Sequence, residues 1–140
     1  MAIFGKLHLL VLHFPIALIL MTALADLLWL WRPRSLFKEA GYFCIVLGAL
    51  ASIPTVVTGW ILIESMNLSG EAVNLGEMHE TLGLLTTMVA LLAAVTRILQ
   101  RNRLSGLWGY AYALLIAACV VLISLTGHYG GMLAFGRNYL

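Results

Sequence analysis

The chain has 140 residues, one domain's worth. Hydrophobic residues make up 62% and charged residues 10%, too little polar surface for a water-facing fold. With a net charge of +2 and two cysteines, this argues against a nucleic-acid-binding module, a disordered tail and a disulfide-stapled secreted fold, and leaves the bilayer as solvent and lipid as the first partner.

Four apolar stretches follow in chain order, near Leu7 to Trp31, Ala40 to Ile63, Met78 to Leu99 and Leu107 to Leu125. Each reaches the about 20 helical residues that cross roughly 30 Å of hydrocarbon. Lys6, the first apolar run and Ala23-Leu24-Ala25 imitate a signal peptide, but His8, His13 and Asp26 interrupt that pattern and favour a retained helix. Arg32-Pro33-Arg34-Ser35 ends the first helix, Asn67 to Gly76 separates the second from the third, and Arg101 to Gly106 separates the third from the fourth. Connections this short predict one all-α domain over residues 1–140, a four-helix transmembrane bundle running up-down-up-down.

Basic residues set the orientation. Arg32, Arg34 and Lys38 lie in the first loop and Arg97, Arg101 and Arg103 at the third, against Lys6 and Arg137 on the other side. The positive-inside bias makes the first and third loops cytoplasmic and turns both termini outward, with the acidic loop of Glu64, Glu71 and Glu77. Trp29, Trp31 and Trp108 at the inner boundary, and Trp60, Tyr129 and Tyr139 at the outer, fit interfacial belts.

The second and fourth helices suggest a repeat. Gly41-Tyr42 precedes Thr58-Gly59 by the spacing that separates Gly109-Tyr110 from Thr126-Gly127, and His13 and His79 stand upstream at similar distances. Two pseudo-symmetric helical hairpins, related by a twofold axis along the membrane normal, are expected. Asp26 follows His8, and Arg97 follows His79, by eighteen residues. That spacing keeps each pair on one helical face about 27 Å apart in depth, so Asp26 and Arg97 should meet as a structural ion pair that offsets part of their desolvation cost. A proton entry path from Asp26 is the weaker reading.

The candidate chemistry rests on four histidines, His8, His13, His79 and His128, which the topology gathers near the outer face. Any one alone would ordinarily be a boundary residue satisfied by water or a carbonyl; four in one layer point to a cofactor or metal. Neutral imidazole ligates haem iron, zinc and copper, and bundles place such ligands on facing helices. His8 and His13, five residues apart, point to faces about 140° apart, so they would serve two neighbouring cofactors, each completed by His79 or His128. Gly83, Gly127, Gly130 and Gly131 in the same layer would admit a flat macrocycle, and Lys6 or Arg137 could pair with haem propionates. The chain lacks C-x-x-C-H, so covalent c-type haem is not expected. Cys44 and Cys119 read as packing residues.

His8 with His13-Phe14-Pro15, and Gly127-His128-Tyr129-Gly130-Gly131, resemble the H-x4-H-F-P and G-H-x-G-G signatures of a bacterial inner-membrane family, domain of unknown function 2231. The resemblance spans nearly the whole chain. It implies four membrane helices in the bacterial inner membrane and, through the family's association with c-type cytochrome modules, redox work.

The expectation is therefore a membrane b-type cytochrome with one or two bis-histidine haems near the outer face, moving electrons between a quinol and an exported acceptor such as a c-type cytochrome. The inner half holds no histidine, so one-sided exchange is expected. The runner-up is a non-haem copper, zinc or iron site of histidine with Glu64, Glu77 or Glu80, in a membrane enzyme or metal-handling protein. A third reading is a redox-silent assembly subunit or small transporter. The chain has no Ser-His-Asp signature, H-E-x-x-H or phosphate loop, which makes electron transfer a better fit than a stand-alone enzyme. A homo-oligomer stays open.

Overall fold

The computed structural model describes residues 2–100 and 103–136, with side chains from residue 7 onward. The described residues are helical, in the order α1 (Ala2–Val11), α2 (His13–Trp31), α3 (Ser35–Ser65), α4 (Glu71–Leu99) and α5 (Gly106–Phe135). Four spans are long and apolar enough to cross a membrane: Leu7–Trp31, Ser35–Ser65, Glu71–Leu99 and Gly106–Phe135. This is the four-helix bundle expected, with the first span divided at Leu12.

Pro15 explains the division. It has no N–H to offer the Val11 carbonyl four residues back, so one helical bond is missing there, while Leu12 keeps helical angles of φ −61° and ψ −30° and its N–H donates to the His8 carbonyl at 2.9 Å. Pro54 lies inside α3 without ending it. The hydroxyls of Ser52, Thr55 and Thr58 donate to the carbonyls of Ala49, Ala51 and Pro54 around it. Such internal satisfaction is required wherever water is excluded.

Three helices are longer than their apolar runs. α3 begins at Ser35 and α4 at Glu71, and α5 continues past Leu125 to Phe135. Hydropathy marks the hydrocarbon, whereas a helix ends where its backbone bonding ends, and Glu71, Asn74, Glu77 and the glycines of α5 can sit in helices outside the hydrocarbon. The stops are backbone ones: Asn67 and Gly70 take positive φ between α3 and α4, Gly106 opens α5 with φ 56°, and Gly136 closes it with φ 89°.

The hairpins α2–α3 and α4–α5 pack most extensively, and α3–α4 and α2–α5 contacts close a square with α2 diagonal to α4. α1 lies against α3. The core is narrow: Ile19, Ile45, Ala49, Ala90, Ala93, Ala94, Tyr112, Ile116, Cys119 and Ile123. Small residues let the backbones close in, and a Cβ at Gly48 would stand 3.1 Å from both Leu18 and Ile19. Larger apolar side chains such as Leu20, Phe43, Leu114 and Val121 face outward, as lipid contact requires.

The two hairpins are equivalent at an offset of 71 residues. His8 bonds the Thr55 carbonyl and His79 the Thr126 carbonyl, each 47 residues ahead. Gly59 abuts the His8 ring as Gly130 abuts that of His79. The matching of Gly41-Tyr42 with Gly109-Tyr110, and of His13 with His79, is therefore out of register; Gly41 corresponds to Tyr112 and His79 to His8. Short dipeptides recur by chance in apolar helices, whereas hydrogen-bonded pairs fix register.

On the diagonal, equivalent residues meet. Arg97 Nη1 donates to Asp26 Oδ1 at 2.6 Å and to the Tyr112 hydroxyl at 2.5 Å, and Nη2 donates to the Lys38 carbonyl at 2.8 Å. Tyr112 in turn donates to Asp26 Oδ2 at 2.8 Å. The cluster ties α2, α3, α4 and α5 together at the end opposite the termini, with Arg97 fully buried. It needs Gly41, where a Cβ would lie 2.5 Å from Asp26 Oδ1 and 3.1 Å from Arg97. The expected ion pair is thus present, with a tyrosine and a carbonyl completing it.

Breaking a buried pair strands the surviving charge, which costs about 3–5 kcal/mol. Asp26→Asn and Arg97→Gln should each destabilise the bundle by that order, and Tyr112→Phe by about 1–3 kcal/mol. Reversible unfolding by dodecyl sulfate in mixed micelles measures it. Wild-type stability in Arg97→Gln would show that the cluster does not hold the fold.

Candidate cofactor site

His8 and His79 approach each other at the end of the bundle that carries the termini. Their ring centroids are 6.4 Å apart and their planes stand at 89°. His8 is buried on α1, and His79 is half-buried near the start of α4. α1 packs along α3, and the His8 ring lies against Gly59.

Each ring is held in the same way. His8 Nδ1 lies 2.9 Å from the Thr55 carbonyl and 3.4 Å from the Thr58 hydroxyl; His79 Nδ1 lies 3.0 Å from the Thr126 carbonyl. A carbonyl oxygen only accepts, so Nδ1 carries a proton in both rings, and in the neutral form of either ring the lone pair is on Nε2. This arrangement orients a metal-binding imidazole and makes it a better donor. A Cβ at Gly59 would come within 3.1 Å of His8 Cε1, and one at Gly130 within 3.0 Å of His79 Cε1, so the rings occupy space that only glycine leaves.

The other two histidines are placed differently. His13 is exposed, and its Nδ1 donates at 2.8 Å to the Leu9 carbonyl one turn back on its own side of the chain. Its divergence from His8 is as the five-residue spacing predicts. His128, half-buried on α5, makes an edge contact with Tyr129 at 5.8 Å. Among the described residues no group of three His, Cys, Asp or Glu side chains is placed to hold a metal ion, so Glu64, Glu77 and Glu80 do not complete such a site with the histidines. The Lys6 side chain and Arg137 lie outside the described residues. Asp26 and Arg97 belong to the cluster at the opposite end.

The residues that sequence reading missed, Thr55, Thr126, Gly59 and Tyr112, have unremarkable identities in a membrane helix. The eighteen-residue interval shared by His8–Asp26 and His79–Arg97 carried the missing signal. It specifies the offset of 71, and that offset pairs Thr55 with Thr126 and Gly59 with Gly130.

A family profile described as a predicted membrane protein (DUF2231) matches residues 6–138. The match covers nearly the whole chain, which therefore belongs to that family. No curated protein and no solved structure matches it.

Gly59→Ala and Gly130→Ala should each displace one imidazole and weaken its bond to a carbonyl. In ¹⁵N-histidine solid-state spectra the Nδ1–H signal of His8 should move in the first variant and that of His79 in the second. If neither signal moves, the glycines are not what seats the rings.

Proposed function

We propose that this DUF2231 member is a b-type cytochrome of the bacterial inner membrane, with one haem held between His8 and His79 and both termini facing outward. The facing of two imidazoles, each with Nδ1 committed to a backbone carbonyl, carries the reading. His8 and His79, whose ring centres are 6.4 Å apart, are the residues that would hold the group between them. Non-haem zinc and iron sites ordinarily draw three or four protein ligands, whereas a haem brings four nitrogens of its own and asks the chain for two.

The bound group would supply one-electron chemistry between a quinol and an exported acceptor such as a c-type cytochrome. The chain's own part is to hold and orient. His8 and His79 are the ligands, the Thr55 and Thr126 carbonyls fix their tautomer, and Gly59 and Gly130 make room for the rings. Lys6 and Arg137 are proposed to pair with the propionates. His13 and His128 are not assigned to a haem, so the expected count is one rather than two. The form of the metal alternative that two imidazoles favour is a single copper(I) ion in linear coordination.

Protein purified from cells supplied with haem should yield about one non-covalent haem per chain in a pyridine haemochrome assay after acid-acetone extraction. His8→Ala and His79→Ala should each abolish binding, while His13→Ala and His128→Ala should retain it. Colourless protein with one copper per chain by elemental analysis would replace haem by the copper reading. Colourless protein without metal would leave a redox-silent assembly subunit or transporter.

A further inference from the structure

We propose that the turn between α2 and α3 is a binding site for one acidic phospholipid, with the phosphate on Arg32 and Arg34 and an acyl chain along Leu27, Leu28, Leu30 and Trp31. Those four residues of α2 line a shallow, open apolar groove. Leu27 is 64% exposed, Leu30 76% and Trp31 75%, so the groove offers an acyl chain an uncovered apolar surface. It lies at the end of the Leu7–Trp31 span, where hydrocarbon gives way to headgroups.

The cationic half of the site adjoins the groove. The Arg32 guanidinium carbon stands 5.2 Å from the centre of the Trp31 ring. The ring face holds the cation by its quadrupole, beside the groove, and a guanidinium carries the N–H donors that recognise phosphate oxygens. The Arg34 N–H donates to the Arg32 carbonyl at 2.7 Å, so the chain folds tightly over Pro33 and keeps the two arginines on one short turn. The ion pair among the described residues is Asp26–Arg97, in which neither arginine of the turn takes part.

Charge selects the headgroup. Two guanidiniums favour a lipid with net negative charge over a zwitterionic one, whose ammonium they repel. The adjoining groove favours a diacyl lipid over free phosphate, which would leave the apolar half uncovered. The offset of 71 limits the number of sites: in the second hairpin the positions of Trp31, Arg32 and Arg34 are taken by Asn102, Arg103 and Ser105, with neither the aromatic platform nor the second guanidinium.

Native mass spectrometry of the full-length protein, released from micelles containing phosphatidylglycerol or phosphatidylcholine of matched chains, tests this. One phosphatidylglycerol per chain should persist at activation energies that strip phosphatidylcholine. Arg32→Gln/Arg34→Gln should weaken retention by roughly 10–30-fold, Trp31→Leu should weaken it with both charges kept, and Arg103→Gln should leave it unchanged. Displacement of the lipid by millimolar inorganic phosphate would contradict the role of the groove. Equal retention of the two lipids by the wild type, or a loss in Arg103→Gln matching that of the double variant, would overturn the proposal.

Discussion

A charge inside hydrocarbon must find its partner within the protein, and Asp26 and Arg97 have each other. They sit on α2 and α4, the helices diagonal across the bundle, so their contact fixes both the depth and the rotation of one hairpin against the other. With the pair at 2.6 Å, the eighteen residues that separate each from its histidine bring His8 and His79 to one level about 27 Å away. The register of the histidine pair is thus set at the opposite end of the molecule. Tyr112 and the Lys38 carbonyl satisfy further polar atoms of the pair, and Gly41 leaves the space in which it forms.

The pseudo-twofold axis gives equivalent positions two kinds of occupant. Near the termini they are identical, two histidines whose planes stand at right angles. At the other end they are complementary, an aspartate and an arginine, with a glycine and a tyrosine beside them at equivalent positions. Complementary charges attract only when the two different hairpins meet, since like hairpins would bring aspartate to aspartate or arginine to arginine. Between the ends, Ile19, Ile45, Ala90, Ile116 and Cys119 form an apolar core.

Composition and apolar run length made the four spans and their antiparallel order legible in the sequence, because both follow directly from the thickness of hydrocarbon. The Asp26–Arg97 pair was legible for the same physical reason, as two costly charges at matching depth. The true helix ends were not, since Glu71 to Glu77 and Gly127 to Gly131 are polar or glycine-rich yet remain helical. Nor was the separation of the histidines into a facing pair and two others, because a layer along the membrane normal says nothing about azimuth around the bundle. The seating of the His8 ring beside Gly59, with α1 lying along α3, lies outside any periodicity argument.

Electron paramagnetic resonance of the oxidised protein purified from haem-replete cells tests the proposed site most directly, because it reports ligand count and ring orientation together. One low-spin ferric haem with the strongly anisotropic signal of imidazole planes near a right angle is the predicted result. A high-spin signal, a low-spin signal of coplanar rings, or no haem signal would contradict the pairing of His8 with His79 across one haem.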